Sequence, residues 1–311
     1  MLAAPRTARS ADFALPLTFV VLWSTGYIAG PIALRDAGPL TMLSLRFAVA
    51  AAVLLAIALV TRAPWPRGAR MWGLIALTGL CSQAVSFGGT YTGVNAGVTP
   101  SLAALITGLM PVFVALAAGP LLGERQGRMQ WLGLGLGFAG VALVVASHGR
   151  VSAAGSAAIG LVVVGLLGLT AGTLLQKRFV SEMDVRSGGF IQASVSTLAL
   201  APLAWLLEGL RLSLTAQFVG AVGWLVGANS LVLATIMFVM IRRGEASRVA
   251  GLFYLIPPVT AVLSALLLHQ YLTPLALGGF ALAAAGVALA ARPSATKQTD
   301  AAASERLRPA A

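Results

Sequence analysis

Ala139-Gly140-Val141-Ala142-Leu143 recurs letter for letter as Ala285-Gly286-Val287-Ala288-Leu289, 146 residues further along the chain. The same spacing brings two apolar segments, 98–145 and 244–291, into register. Identical residues outside the repeated pentapeptide match at this spacing: Pro111 with Pro257, Ala115 with Ala261, Leu121-Leu122 with Leu267-Leu268, and Gly133 with Gly279. Two similar apolar halves are typical of secondary transporters, whose halves move around a shared central site. The repeat therefore predicts a membrane carrier.

The composition indicates a chain that meets lipid. Of its 311 residues, 58% are hydrophobic and 10% are charged, and the mean hydropathy is +0.90. A soluble domain of this length could not bury that much apolar surface. The net charge of +12 would suggest nucleic acid for a soluble protein, but here the basic residues lie in short gaps between apolar runs. We therefore expect the lipid bilayer as a partner, and no nucleic acid.

Apolar runs bounded by charged residues or by Pro and Gly predict ten membrane spans. They cover residues 14–34, 39–61, 71–92, 98–121, 128–147, 156–178, 187–207, 216–241, 247–268 and 274–291. The expected fold class is an all-α membrane protein with ten transmembrane helices in two five-helix repeats. The expected organisation is a cytoplasmic N-terminal segment (1–13), a first repeat (14–147), a linker (148–155), a second repeat (156–291) and a disordered cytoplasmic tail (292–311).

The basic residues predict the orientation. With the amino terminus in the cytoplasm, every Lys and Arg outside the spans falls on the inner side except Arg35, Arg150 and Arg211. Both termini are then cytoplasmic, in what we expect to be a bacterial inner membrane. Five helices per half is an odd number, so the second half enters the membrane from the opposite side. The two repeats are therefore expected to be inverted, with a shared site near the midplane.

The chain resembles the EamA-type, ten-helix members of the drug/metabolite transporter superfamily. The stretches that carry the resemblance are Leu22 to Ile28 in the first span, Leu45-Arg46-Phe47 in the second, Pro111 to Arg125 and Gly133 to Val144 in the fourth and fifth, and Ala246-Ser247-Arg248, Pro257 and Gly286-Val287 in the second half. The resemblance covers about residues 14–291 and implies a carrier of small solutes, often an exporter of amino acids or other metabolites.

The halves differ where the resemblance is strongest. The family's Leu-Gly-Glu after the fourth span is present as Leu122-Gly123-Glu124, whereas the second copy reads Leu268-His269-Gln270. Arg46 has Gln192 at the equivalent position. A strictly symmetric mechanism is therefore not expected.

Arg46 is the only formal charge well inside a predicted span. A charge at that depth is costly unless it faces a cavity, a partner or the interface. We expect Arg46 to stabilise the bundle by bonding backbone carbonyls or a neighbouring helix. Contact with an anionic group of the substrate is the alternative left open by the sequence.

Uncharged polar and aromatic residues inside the spans form the predicted substrate-binding set. They are Trp23, Tyr27, Gln83, Gln176, Asn229 and Tyr254. Gln83 and Asn229 are again 146 residues apart, one in each half, as a shared cavity requires. Trp23 and Tyr27 lie four residues apart on one helix face. Helix–helix bonding and ordinary packing are the alternatives for each residue. Such a set suits a neutral or zwitterionic small molecule.

Three further residues are predicted to be structural or gating residues beside Arg46. Pro111 and Pro257 should bend the fourth and ninth spans at matching places. Glu124 is predicted to lie at the inner end of the fourth span. The glycine-rich run Gly133–Gly140 indicates a close-packing face, either within the chain or against a second copy in a homodimer.

The absence of several sequence motifs disfavours some classes of function. No Asp or Glu lies at mid-depth in any predicted span, which disfavours carboxylate-based proton coupling. The chain has no phosphate-binding G-x-x-x-x-G-K-[ST] loop, and no nucleophile–base pair or set of metal ligands at depth. We expect neither an enzyme nor a bound cofactor or metal. A channel-like or structural membrane protein without solute turnover is the remaining alternative.

The topology gives the first test. A periplasm-active reporter fused after Arg308 should show no activity, because the arginine asymmetry places that end in the cytoplasm. The same reporter fused in the loop that holds Arg150 should be active. Strong activity after Arg308 would contradict the predicted orientation.

Overall fold

A computed structural model describes residues 7–122, 128–147, 152–233, 235, 236, 240 and 252–290. In these residues the chain forms ten apolar helices. They are α1 (Thr7–Ala33), α2 (Pro39–Val60), α3 (Ala69–Asn95), α4 (Pro100–Thr107 and Met110–Leu122), α5 (Arg128–Ala146), α6 (Ala153–Phe179), α7 (Val185–Glu208), α8 (Ala216–Val232), α9 (Phe253–Leu255 and Ile256–Leu267) and α10 (Pro274–Ala290).

The predicted all-α membrane fold is confirmed. Five helices are long and apolar enough to cross a membrane: Leu15–Ala33 of α1, and α2, α3, α6 and α7 in full. The other five are shorter apolar helices. Each corresponds to one predicted span, and α1 begins about two turns before its predicted start. The expected tail at 292–311 and Glu124 lie outside the described residues, and the predicted segment boundaries remain predictions.

The two halves pack as an inverted pair. Helices α2 and α7, α4 and α9, and α5 and α10 lie against each other, and each of these pairs joins equivalent helices of the two halves. The contact of α3 with α6 has its counterpart in the contact of α8 with α1. A two-fold axis between the repeats produces this match, because it exchanges each helix with its equivalent in the other half. Every one of these contacts crosses between the halves, so neither half forms its core alone.

Equivalent helices share the same irregularities. Leu80–Val85 in α3 and Leu225–Val232 in α8 are π-helical. The two segments overlap when the chain is shifted by 146 residues. Within the second segment the side-chain hydroxyl of Ser230 donates to the carbonyl oxygen of Leu225, five residues earlier, at 3.1 Å. π-helical turns are rare and are often found at functional sites.

The second shared irregularity precedes the two matched prolines. In α4 a turn at Gly108 and Leu109 separates the two helical parts, and in α9 the equivalent residues belong to the short 3₁₀ turn Phe253–Leu255. Pro111 and Pro257 each follow as the second residue of a new α-helical segment. There the missing N–H of proline leaves no hydrogen bond unmade. The prolines therefore mark breaks and not kinks within continuous helices.

Glycines let α5 and α10 approach to backbone contact. A Cβ on Gly140 would lie 2.6 Å from the backbone nitrogen of Ala283, and one on Gly286 would lie 2.5 Å from that of Gly137. Gly135, in contrast, faces open space. The glycine face predicted for this run therefore packs within the chain. Whether the protein forms a homodimer by another surface remains open as a prediction.

The outside of the bundle is apolar, as a lipid-facing surface must be. Leu198 and Leu207 of α7 are each 73% exposed, and Val60 of α2 is 84% exposed. Large exposed aliphatic side chains on several helices would be a liability in water. In a bilayer they meet hydrocarbon, and the polar side chains turn inward instead.

One carboxylate joins α7 to α2 at the predicted outer surface. Glu208, the last residue of α7, accepts hydrogen bonds from the backbone N–H groups of Leu40 and Thr41 at 2.8 Å each, and from the Thr41 hydroxyl at 2.7 Å. It thereby caps the first turn of α2, where unpaired N–H groups and the helix dipole favour a negative charge. This contact ties the two halves together at one end.

The glycine packing of α5 and α10 gives the second test. Gly140→Leu should lower the free energy of unfolding by about 1–3 kcal/mol, because the side chain would have to displace backbone atoms of α10. Gly135→Leu, in the same helix but facing open space, is the matched control and should leave stability nearly unchanged. Thermal unfolding in detergent measures both variants. Equal loss in the two would contradict the role given to this contact.

Candidate functional site

Asn229 connects the π-helical segment of α8 to α1. Its Nδ2 donates to the carbonyl oxygen of Leu22 at 2.6 Å, across the interface of the two halves. Gly26 lies opposite, and a Cβ there would be 3.0 Å from Nδ2, so a larger residue would press on the amide. The amide oxygen Oδ1 is buried and has no hydrogen-bond partner within the described residues. Asn229 therefore uses one end of its amide for helix packing and leaves the other unused.

Trp23 and Tyr27 share one face of α1, as predicted. The Trp23 ring packs edge-on against Phe253 of α9, with 4.8 Å between the ring centroids. The hydroxyl of Tyr27 is hydrogen-bonded to the hydroxyl of Thr107 in α4 at 2.5 Å. Both side chains thus reach the breaks in α4 and α9. Both side chains are partly buried.

Arg46 is buried between the halves, with 3% of its surface exposed. Its Nε and Nη2 both approach the hydroxyl oxygen of Ser230 in α8, at 3.4 and 3.2 Å. Its guanidinium carbon lies 4.7 Å from the ring centre of Phe87 in α3, a cation–π contact. Among the residues that the structure describes, none accepts a hydrogen bond from Nη1. Of the two expected kinds of contact, backbone carbonyls or a neighbouring helix, Arg46 makes the second, through one hydroxyl of α8 and one aromatic face of α3.

Three glutamine amides form a chain on the predicted inner side. Gln83 of α3 donates through Nε2 to Oε1 of Gln192 in α7, at 3.3 Å. Gln192 donates in turn to Oε1 of Gln176 in α6 at 3.1 Å, and Gln176 donates to the carbonyl oxygen of Val180 at 3.0 Å. The amides therefore satisfy one another, and the chain crosses from the first half to the second.

The structure brings the predicted substrate-binding residues together in two groups. The first group is on α1, which carries Trp23 and Tyr27 and is contacted by Asn229. In the second group, Gln83 and Gln176 are joined through Gln192. Tyr254 belongs to the 3₁₀ turn of α9, but its side chain lies outside the described residues, as does all of Glu124. Their assignment to a binding or gating role remains a prediction.

Sequence reasoning missed Ser230 and Phe87, the two side chains that hold Arg46. A signal for both was present, because Ser230 is adjacent to Asn229 and Phe87 is one helical turn beyond Gln83. Gln192 was noted only as the residue that replaces Arg46 in the second half. Its part in bridging Gln83 to Gln176 depends on side-chain packing that spacing alone does not give.

Two cavities lie at opposite ends of the helices. The outer cavity, about 530 Å³, is lined by residues from the start of α2 and the ends of α3 and α7, among them Pro39, Thr92 and Glu208. The inner cavity, about 420 Å³, lies between the α2–α3 and α6–α7 connections and includes Trp65 and Asp184. Both are lined by residues of the two halves.

Asp184, which lines the inner cavity, forms the one ion pair found within the described residues. The Arg186 guanidinium donates to the Asp184 carboxylate, with a shortest distance of 2.6 Å, and this lowers the pKa of Asp184 below its ordinary value. The described residues contain no group of three His, Cys, Asp or Glu side chains that could hold a metal ion. The chemistry available between the halves is therefore that of hydrogen bonding, one guanidinium and aromatic faces.

Comparisons with known proteins agree with this architecture. The family model of the EamA-like transporter family matches twice, over residues 11–146 and 156–292. An uncharacterised transporter of Bacillus subtilis, YvbV, is 27% identical over 89% of this chain and 90% of its own length. A protein of Streptantibioticus cattleyicolor, named as a probable terminal-alkyne amino-acid exporter, is 31% identical over 90% of this chain and 92% of its own length.

A solved crystal structure shares the fold. It superposes with a TM-score of 0.65 over 90% of this chain and 96% of its own, at 17% sequence identity. At that identity the likeness concerns the fold alone.

The glutamine chain gives the third test. Gln83→Leu and Gln192→Leu each remove the bond between the two amides, so a double-mutant cycle should show a coupling of about 0.6–1.7 kcal/mol in unfolding free energy. Thr197 is the matched control on α7, because its hydroxyl donates only to its own helix, at Ala193. Thr197→Val combined with Gln83→Leu should be additive. Additivity of the glutamine pair would contradict the bond.

Proposed function

The chain belongs to the EamA-like transporter family, and on that premise we propose that it exports a small neutral or zwitterionic metabolite, such as an amino acid, by alternating access. Family membership makes it an integral membrane transporter with a small-molecule substrate. Export, the chemical class of the solute and the mechanism are our proposal.

The observation that carries the mechanism is the matched pair of irregular segments in equivalent helices. The π-helical segments of α3 and α8 and the breaks in α4 and α9 occupy the same register of the two halves. Interrupted helices of this kind are where secondary transporters bind solutes and change shape. Because the contacts between α3 and α6 and between α8 and α1 are equivalent, one can open while the other closes.

The side chains between the halves suit a solute of low net charge. Trp23, Tyr27 and Phe87 supply aromatic faces, and Gln83 and Asn229 supply amides. A pocket with apolar walls and few polar groups favours a small molecule with an apolar body. The name of the Streptantibioticus relative, a probable terminal-alkyne amino-acid exporter, supports an amino acid as the first solute to test.

The position of the acidic residues supports facilitated or loosely coupled transport. All nine acidic residues of the sequence lie outside the predicted spans, at their ends, in the segments between them or in the two terminal segments. Proton-driven carriers use a titratable group at membrane depth. Without one, net flow follows the gradient of the solute itself, which in an inner membrane favours export of a metabolite that accumulates in the cell.

Counterflow in proteoliposomes is the test. Vesicles loaded with an unlabelled amino acid should take up the same labelled amino acid transiently and saturably, whereas protein-free vesicles should not. A pH gradient without a solute gradient should give no sustained accumulation. Unsaturable flux would identify a channel and contradict the carrier. Uphill accumulation that an ionophore abolishes would contradict uncoupled transport and direct attention to Glu124.

A further inference from the structure

A buried positive charge lies between the halves without a negative partner. Within the described residues, no carboxylate is close enough to Arg46 to form an ion pair. Two of its nitrogens share one neutral hydroxyl, that of Ser230, and Nη1 is buried with no hydrogen-bond partner. A desolvated guanidinium that is only partly hydrogen-bonded costs several kcal/mol. A charge held in this way is set up to receive an anion.

The described residues around Arg46 leave its Nη1 without an acceptor. The Tyr91 hydroxyl lies close enough to interact with the guanidinium, and it donates its own proton to the carbonyl oxygen of Gly26 at 3.0 Å. Nη1 itself has no hydrogen-bond partner within the described residues. The ring of Phe87 covers one face of the guanidinium and leaves the N–H edges free, since a cation–π contact acts through the face.

The equivalent position in the second half shows the contrast. Gln192 stands 146 residues after Arg46, and both ends of its amide are engaged, Oε1 by Gln83 and Nε2 by Gln176. A residue that only held the helices together would be satisfied in the same way. Arg46 carries a full charge at the matching site and is left with a free donor, so helix packing alone does not account for it.

A free acceptor accompanies the free donor. Ser230, which holds Arg46, is adjacent to Asn229, whose Oδ1 is buried with no partner. The orientation of that amide is fixed, because its other end donates to the carbonyl oxygen of Leu22 and must therefore be the NH₂ group. One stretch of the π-helical segment of α8 thus presents an unused acceptor next to the serine that holds an unused cationic donor.

We propose that Arg46 Nη1 and Asn229 Oδ1 bind the carboxylate and the ammonium group of an α-amino acid. This inference rests on the proposed transport function and specifies the chemical class of its solute. An α-amino acid carries a carboxylate acceptor and an ammonium donor on a single carbon, and it brings the negative charge that the Arg46 site lacks. Its side chain would lie against the aromatic rings of Trp23 and Phe87.

The outer cavity lies at the outer end of α2, the helix that carries Arg46. Its lining includes Pro39, which is seven residues before Arg46 on α2 and therefore about 10 Å away along the helix. It also includes Thr92, the neighbour of Tyr91. A solute released from Arg46 toward the outside would thus pass between the first turn of α2 and the last turn of α3.

The test compares solutes that differ by one charged group, in the counterflow assay described above. The probes are radiolabelled L-leucine, leucinamide (without the carboxylate) and 4-methylpentanoate (without the amine). Wild-type protein should prefer leucine to each by about 10- to 100-fold in apparent affinity, the size of one hydrogen bond to a charged group. Arg46→Gln should bring leucine and leucinamide to near parity, and Asn229→Ala should do the same for leucine and 4-methylpentanoate.

Arg70→Gln is the matched control, because it removes an exposed arginine at the start of α3 and should keep both preferences. If Arg46→Gln does not fold, Arg46→Lys replaces it and should reduce the preference for leucine over leucinamide. The wild-type comparison needs no variant at all.

The outcomes separate the two proposals. Leucine counterflow in wild type with an unchanged preference in Arg46→Gln would overturn the role of Arg46 and leave the transport proposal standing. If the wild-type protein transports leucinamide and leucine with equal apparent affinity, the role of Arg46 is likewise overturned and the transport proposal stands. If none of the three probes shows counterflow, both the amino-acid site and the proposed amino-acid transport are overturned.

Discussion

Hydrocarbon offers no hydrogen bonds, so a polar group inside the bundle is stabilised only by a partner within the protein or by a bound solute. Most hydroxyls do so locally, as Thr78 and Thr170 do by donating to the carbonyl oxygens of Leu74 and Leu166 in their own helices. The longer polar side chains reach across the interface instead, and the glutamine chain and the Asn229–Leu22 bond result. The packing of the halves and the location of the site both follow from this one requirement.

Glycine makes that arrangement geometrically possible. At Gly89 and Gly165, α3 and α6 approach so closely that a methyl group on either would lie within 3 Å of the other helix. Helices in lipid gain little from burying apolar side chains against one another, and close backbone packing supplies the attraction instead. Because the contacts between the halves are backbone contacts, they are specific in register and nonetheless free of bulky side chains that would obstruct sliding.

The number and positions of the helices could be read from the sequence, because hydropathy and the asymmetry of arginine act on whole segments. The internal repeat was equally legible, and it placed Pro111 and Pro257 at equivalent positions. The partners of individual polar side chains were not. Asn229 and Gln83 are equivalent in sequence, yet one bonds the backbone of α1 and the other an amide of α7. Both equivalent pairs have diverged, Gln83 from Asn229 and Arg46 from Gln192, so the lengths and partners of the side chains differ between the halves. The shift to π-helical hydrogen bonding also has no composition signature in Leu80–Val85, since it concerns the backbone.

The matching π-helical segments also bear on the history of the chain. A π-helical turn holds one residue more than the α-helical turn that it replaces, so its usual origin is a one-residue insertion that the flanking helix absorbs. Two independent insertions at the same place in two halves would be a coincidence. The simpler account is that the insertion occurred once, in an ancestral five-helix protein, before its gene was duplicated and fused. A five-helix ancestor of this kind would have had to pair with a second copy of itself in the opposite orientation, and the widened helix is then older than the distinction between Arg46 and Gln192.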